Sequence, residues 1–185
     1  MNGAKRTFPI LPTKLETEPA IPLTTPKTVL PILATLLTSF VVRLNPALNI
    51  PGKVLSTDIK KRNIFRPTAP AVLEKDAENY FHLEKKLMNC YTHMGATATP
   101  KDSVLNDIKG VIHVDNTSRV QICDEESLLG KLLMSLNKHK IQVIANTSFN
   151  ISSDPMVYDK EDAFLAIERM GIKYLLTETG LYKRK

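Results

Sequence analysis

Residues 126–145 constrain the fold more than any other part of the chain. Leu128, Leu129, Leu132, Leu133 and Leu136 recur at helical spacing, which predicts a helix over 126–140 with Asp124 as its cap. Residues 141–145 follow at once as an apolar run broken only by Gln142, and such a run reads as an inner strand. A helix leading directly into a strand needs a sheet on which to lay its apolar stripe.

The flanking sequence repeats the pattern. Ala71-Val72-Leu73 reads as a short buried strand, and 74–87 as a helix carrying Ala77, Phe81 and Leu87 on one side. Residues 89–110, with Pro100 and many small polar side chains, read as a long mobile loop of the kind that covers ligands. Residues 111–115 and 119–123 read as a strand, a turn and a strand, which would place His113 and Asp115 on one strand face. Asp159 caps a helix with Ala163, Phe164, Ile167 and Met170 inward and Gly171 at its end. Tyr174-Leu175-Leu176 and Leu181-Tyr182 would close the sheet as a hairpin. The predicted class is α/β, a mixed sheet with packed helices.

The first 52 residues differ. Eight of the chain's 12 prolines lie at or before Pro51, so residues 1–52 read as an irregular Pro-rich arm and 53–185 as the folded domain. Residues 29–42 are uncharged and mostly apolar, but too short for a membrane span. They read as a strand or short helix laid on the domain.

Charge and composition narrow the partners. The net charge of +6 permits polyanion binding, yet the cations are scattered apart from Lys60 to Arg66 and the tail Lys183-Arg184-Lys185. Tryptophan is absent, which argues against a stacking platform for nucleic acid. Cys90 and Cys123 form neither a disulfide framework nor a metal motif, and Cys123 reads as a small core residue, so a cytoplasmic protein is expected. His82, His93, His113 and His139 show no ligand spacing, and no metal site is expected on this chain.

Three clusters carry chemistry. Lys60-Lys61-Arg62-Asn63-Ile64-Phe65-Arg66 puts four cations in seven residues ahead of Pro67-Thr68-Ala69-Pro70. The run from His113 to Gln121 centres on a turn-like Asp115-Asn116-Thr117-Ser118. Asn146-Thr147-Ser148-Phe149-Asn150 delivers small hydrogen-bonding side chains to a strand end, with no charge and no strong base. Such a set suits an amide-like or phosphorylated ligand. Arginine forks match phosphate geometry, whereas lysine acts as a point charge.

In order and rough spacing these blocks resemble the C-terminal domain of the NodU-type O-carbamoyltransferases. That family reads K-x-R-E-x-F-R-P-F-A-P, then H-V-D-G-T-A-R-V-Q, then N-T-S-F-N-x-x-G-E-P. The resemblance covers about residue 60 to the C-terminus. It implies a YrdC-like α/β fold that takes carbamoyl phosphate and ATP, with Mg2+ accompanying the nucleotide, to a carbamoyl-adenylate. A separate actin-like, metal-bearing domain would then transfer the carbamoyl group to an acceptor hydroxyl.

The family's K-x-R and S-x-N pairs fall on Lys60 with Arg62 and on Ser148 with Asn150, the implied catalytic residues. Arg66 would hold phosphate, Arg119 would neutralise charge and Asn146 would hold the carbamoyl amide. His113 and Asp115 would either orient the ligand or form a structural pair. Lys61 is expected at the surface.

The chain departs from the family at several points. Fewer than sixty residues precede the first block, too few for an actin-like domain, and the upstream G-x-R-x-L-G-N-R-S element is not recognisable. Asn63 replaces a glutamate, and Ser153 stands where a glycine would take a positive φ. A half-enzyme working with a separate domain, a non-catalytic module docking a transferase subunit through the Pro-rich arm, and a protein acting alone all remain open.

Overall fold

The computed structural model describes residues 21–22, 59, 61, 63, 68–152, 154–177 and 180–184. Its strands are β1 (Ile21–Pro22), β2 (Ala69–Leu73), β3 (Phe81–His82), β4 (Thr99–Pro100), β5 (Gln121–Cys123), β6 (Val143–Asn146), β7 (Tyr174–Thr177) and β8 (Gly180–Lys183). Between them lie α1 (Glu74–Tyr80), α2 (Met88–Thr92), α3 (Leu128–Asn137) and α4 (Lys160–Met170). The predicted mixed α/β class is what these residues form.

β2 is the centre of the fold. It runs parallel to β5 and antiparallel to β6, and all five of its residues are buried. Alternation sends its side chains to opposite faces. On one face Val72 joins Phe81, Tyr91, Val120 and Ile122. On the other, Ala71 and Leu73 join Cys123 and Leu133 of α3. The sequence predicts β6 as an inner strand, but among the described residues it is an edge, with Ala145 exposed. Its apolar run packs on both faces, Ile144 against the α3 layer and Val143 against the core around Val72 and Tyr91.

The predicted helix over 74–87 breaks at Tyr80. The Tyr80 carbonyl accepts from Lys101 N at 2.8 Å, and Phe81 turns extended to pair with Pro100 while its ring enters the core. Tertiary pairing outbids local helix propensity here. The predicted mobile loop over 89–110 is instead built from α2, β4 and 3-10 turns. Tyr91 is fully buried, and Ala98 exchanges two 2.9 Å hydrogen bonds with Ser118.

α3 begins later than predicted, because Ser127 is the cap. Its Oγ accepts from Gly130 N at 2.9 Å, and its extended backbone meets the capping requirement. Asp124 instead makes a turn, its Oδ1 accepting from Glu126 N at 2.6 Å. Asp159 caps α4 by accepting from Asp162 N at 2.8 Å, and Gly171 ends it at φ 68°, both as predicted. The β7–β8 hairpin also forms, but with β1 it makes a separate sheet on which α4 packs through Phe164 and Ile167. No helix among the described residues is long and apolar enough to cross a membrane.

Candidate functional site

β2 and β5 are parallel, so their amino ends lie together, and antiparallel β6 brings its carboxyl end to the same place. Asn146 stands opposite Ala69, and Gln121 opposite Ala71. The described end of the first motif, the end of the second and the start of the third therefore meet at one sheet end. Thr68 adds a tie, donating through Oγ1 to Gly110 O at 2.8 Å. Lys60, Arg62 and Arg66 lie outside the described residues, as does Ser153. Lys61 is exposed, as expected.

The third motif folds on itself beyond β6. Ser148 Oγ donates to Asn150 Oδ1 at 2.7 Å, and Asn150 Nδ2 donates to Asp154 O at 2.8 Å. Asp154 is fastened to α4, its Oδ2 accepting from Arg169 Nη1 at 3.0 Å. Ser148 and Asn150 thus form a hydrogen-bonded unit tied through Asp154 to α4. Asn150, Asp154, Met156, Leu165 and Arg169 line a cleft of about 140 Å3 beside it. That volume is well below the roughly 300–1,000 Å3 of typical small-molecule sites, so this cleft alone does not house a nucleotide.

His113 and Asp115 do not alternate on a strand. Asn116 takes a left-handed φ of 61°, which turns the chain and lets His113 N donate to Thr117 O at 2.7 Å. Thr117 is the hub that the sequence reading missed. Its N–H and hydroxyl both donate to Asp115 Oδ1, at 3.0 and 2.8 Å, and His113 Nδ1 lies 3.3 Å from the same hydroxyl. The Thr117 hydroxyl above all, then its backbone N–H, holds the Asp115 carboxyl below the usual carboxylate range.

The arrangement also assigns the imidazole tautomer. The single Thr117 hydroxyl proton goes to the carboxylate, so His113 Nδ1 must be the donor to Thr117 Oγ1. In neutral His113, Nε2 then carries a bare lone pair, and this atom is buried with no hydrogen-bond partner among the described residues. Burial first, aided by Arg119 and opposed by Asp115, pushes the imidazole pKa down. Arg119 itself is exposed.

Asn146 is half-buried, and its Nδ2 donates to Gln121 Oε1 and toward Met94 Sδ at 3.6 Å. Neither contact was foreseen. Gln121 closes the second motif and could have been inferred from it, whereas nothing in the sequence signals Met94. Burial pushes the Cys123 thiol pKa up, as befits the core residue expected. Among the described residues, no group of three or more His, Cys, Asp or Glu side chains could hold a metal.

A family model described as "Carbamoyltransferase C-terminus" matches residues 39–184. Nodulation protein NolNO of Sinorhizobium fredii is 28% identical over 130 residues, covering 69% of this chain and 19% of its own length. Nodulation protein NolO of Bradyrhizobium diazoefficiens is 29% identical over 120 residues, covering 62% and 22%. A Methanocaldococcus jannaschii protein is 31% identical over 119 residues, covering 63% and 22%. The chain spans about a fifth of the length of these curated relatives.

Proposed function

The chain belongs to the carbamoyltransferase C-terminus family, and from that premise we propose that it binds carbamoyl phosphate and ATP in a YrdC-like site and forms a carbamoyl-adenylate. The observation that carries this reading is the meeting of the three motif segments at one end of the β5–β2–β6 sheet.

The chemistry asks for positioning and charge neutralisation more than for a protein nucleophile. Water takes the phosphoryl group of carbamoyl phosphate, releasing inorganic phosphate and leaving a carbamate. A carbamate oxygen then attacks the α-phosphorus of ATP, the bond to the β-phosphate oxygen breaks, and pyrophosphate leaves. Lys60, Arg62 and Arg66 would clamp phosphate oxygens, and Arg119 would offset the charge that gathers. Ser148 and Asn150 would hold the nucleotide phosphates through their oxygens and amide. Those neutral oxygens suit Mg2+, which would arrive with the nucleotide and supply further charge neutralisation. Asn146 would accept from the carbamoyl NH2. The acceptor hydroxyl and its transfer would belong to an actin-like, metal-bearing domain, supplied separately.

The test is thermal unfolding with ATP and carbamoyl phosphate at millimolar concentration. Ligand at about ten times its Kd adds about 1.4 kcal/mol of stability. Arg62→Ala and Ser148→Ala are each expected to abolish that gain while leaving the unliganded fold intact. An unmutated protein that gains nothing refutes the reading. The exposure of Met156, at 68%, and of Leu165 beside the Ser148–Asn150 loop favours a second reading, a non-catalytic docking module. A stable complex with a transferase domain that adds nothing to turnover would select it.

A further inference from the structure

Asn146 and Gln121 lie diagonally across β2 on the face that Ala71, Leu73, Cys123 and Ile144 bury against α3. Ala69 and Ala71 stand between them, so two methyl groups leave the carboxamides room to meet. A carboxamide has a donor end and an acceptor end, and a half-turn of its last torsion exchanges them. Gln121, itself an amide, could turn to match either end.

Met94 breaks that tie. A thioether carries lone pairs and no hydrogen, so only the NH2 end of Asn146 can face it favourably. With Nδ2 committed to Met94 Sδ and Gln121 Oε1, Asn146 Oδ1 is left as an acceptor with no hydrogen bond among the described residues. Met94 reaches this place through a left-handed backbone at φ 54°, which a methionine adopts only at a cost. Three residues before it, fully buried Tyr91 anchors α2, and its carbonyl accepts from Met94 N at 3.2 Å.

We propose that Gln121, with Met94, is a positioning residue that fixes the carboxamide of Asn146 with its oxygen outward, and that this oxygen selects a carbamoyl NH2 over an acyl CH3. This rests on the carbamoyl reading above. Carbamoyl phosphate and acetyl phosphate nearly match in shape and differ in the hydrogens that Asn146 Oδ1 would accept. A freely turning amide would present its oxygen to the ligand only part of the time and would lose discrimination.

The experiment compares the two acyl phosphates, each with ATP, by the concentration that half-saturates the thermal shift. Gln121→Leu keeps a similar volume and removes the acceptor for Asn146 Nδ2, and is expected to reduce the preference for carbamoyl phosphate about tenfold. Gln121→Glu keeps an acceptor oxygen and is expected to preserve the preference. Its added charge weakens both phosphates alike and cancels in the ratio. In the ligand-free protein, the Asn146 carboxamide protons should exchange slowly in the unmutated and Gln121→Glu proteins and rapidly in Gln121→Leu. An unchanged ratio in Gln121→Leu, alongside a lost ratio in Asn146→Ala, overturns the positioning role of Gln121. A protein that binds both acyl phosphates equally overturns the selection and leaves the nucleotide reading standing. A protein that binds neither overturns the proposed function itself.

Discussion

Gly130→Ala tests whether packing or propensity governs α3. Helix propensity alone favours alanine over glycine by about 1 kcal/mol. The structure points the other way. A Cβ on Gly130 would lie 1.9 Å from Asp124 O and 2.7 Å from Asp124 C, and the carbonyl would have to retreat by about 1.1 Å to reach even 3.0 Å. This is backbone, and it cannot rotate aside as a flexible side chain would. The same carbonyl accepts from Ser127 N at 3.2 Å and Ser127 Oγ at 2.7 Å, so moving it strains two hydrogen bonds as well as the cap. Overpacking costs about 1–3 kcal/mol and each lost bond about 0.5–1.5 kcal/mol, which outweighs the propensity gain. The expected net loss is about 2–4 kcal/mol. Urea unfolding measures it as a lowered midpoint at unchanged slope. Gly95→Ala is the control, because its Cβ would meet Cys90 O at 3.3 Å and the expected loss is smaller. A Gly130→Ala protein as stable as the parent would refute the packing argument.

Two further outcomes follow from burial. His113 holds its proton less firmly folded than unfolded, so stability falls as pH drops through the unfolded value of 6.5 and levels off once the folded imidazole also protonates. Chemical denaturation across that range should show a shallower fall in His113→Gln, and an unchanged profile would contradict the assigned burial. Leu133→Ala, at a fully buried position, is expected to cost about 2–5 kcal/mol. Leu128→Ala, 48% exposed, is expected to stay within about 0.5 kcal/mol. Equal losses at the two positions would mean that α3 presents a different face to the core.

What was legible in the chain was whatever a short window encodes. The buried Ala71-Val72-Leu73 strand, the Asp159 cap, the Gly171 stop and the Tyr174–Leu181 hairpin each rest on neighbours a few residues apart, and each formed as read. The motif order carried the family in the same way, because motifs are local strings. The turn at His113 was harder. Its residues alternate like a strand, and only the Thr117 hydrogen bonds with the left-handed Asn116 turn them into a loop.

The sequence by itself determined the α/β class, the order of the chemical motifs and the residue types offered to a ligand. The tertiary structure alone decided that α1 stops at Tyr80, that β6 is an edge among the described strands, and that Asn146 is oriented by Gln121 and Met94. The reason is physical. A cap or a stop is satisfied by groups within one turn of chain, whereas the strand paired with β6 and the partners of the Asn146 amide are supplied by segments 25 to 77 residues away. Which of those distant groups meets which is set by packing around β2, and no local pattern of side chains encodes it.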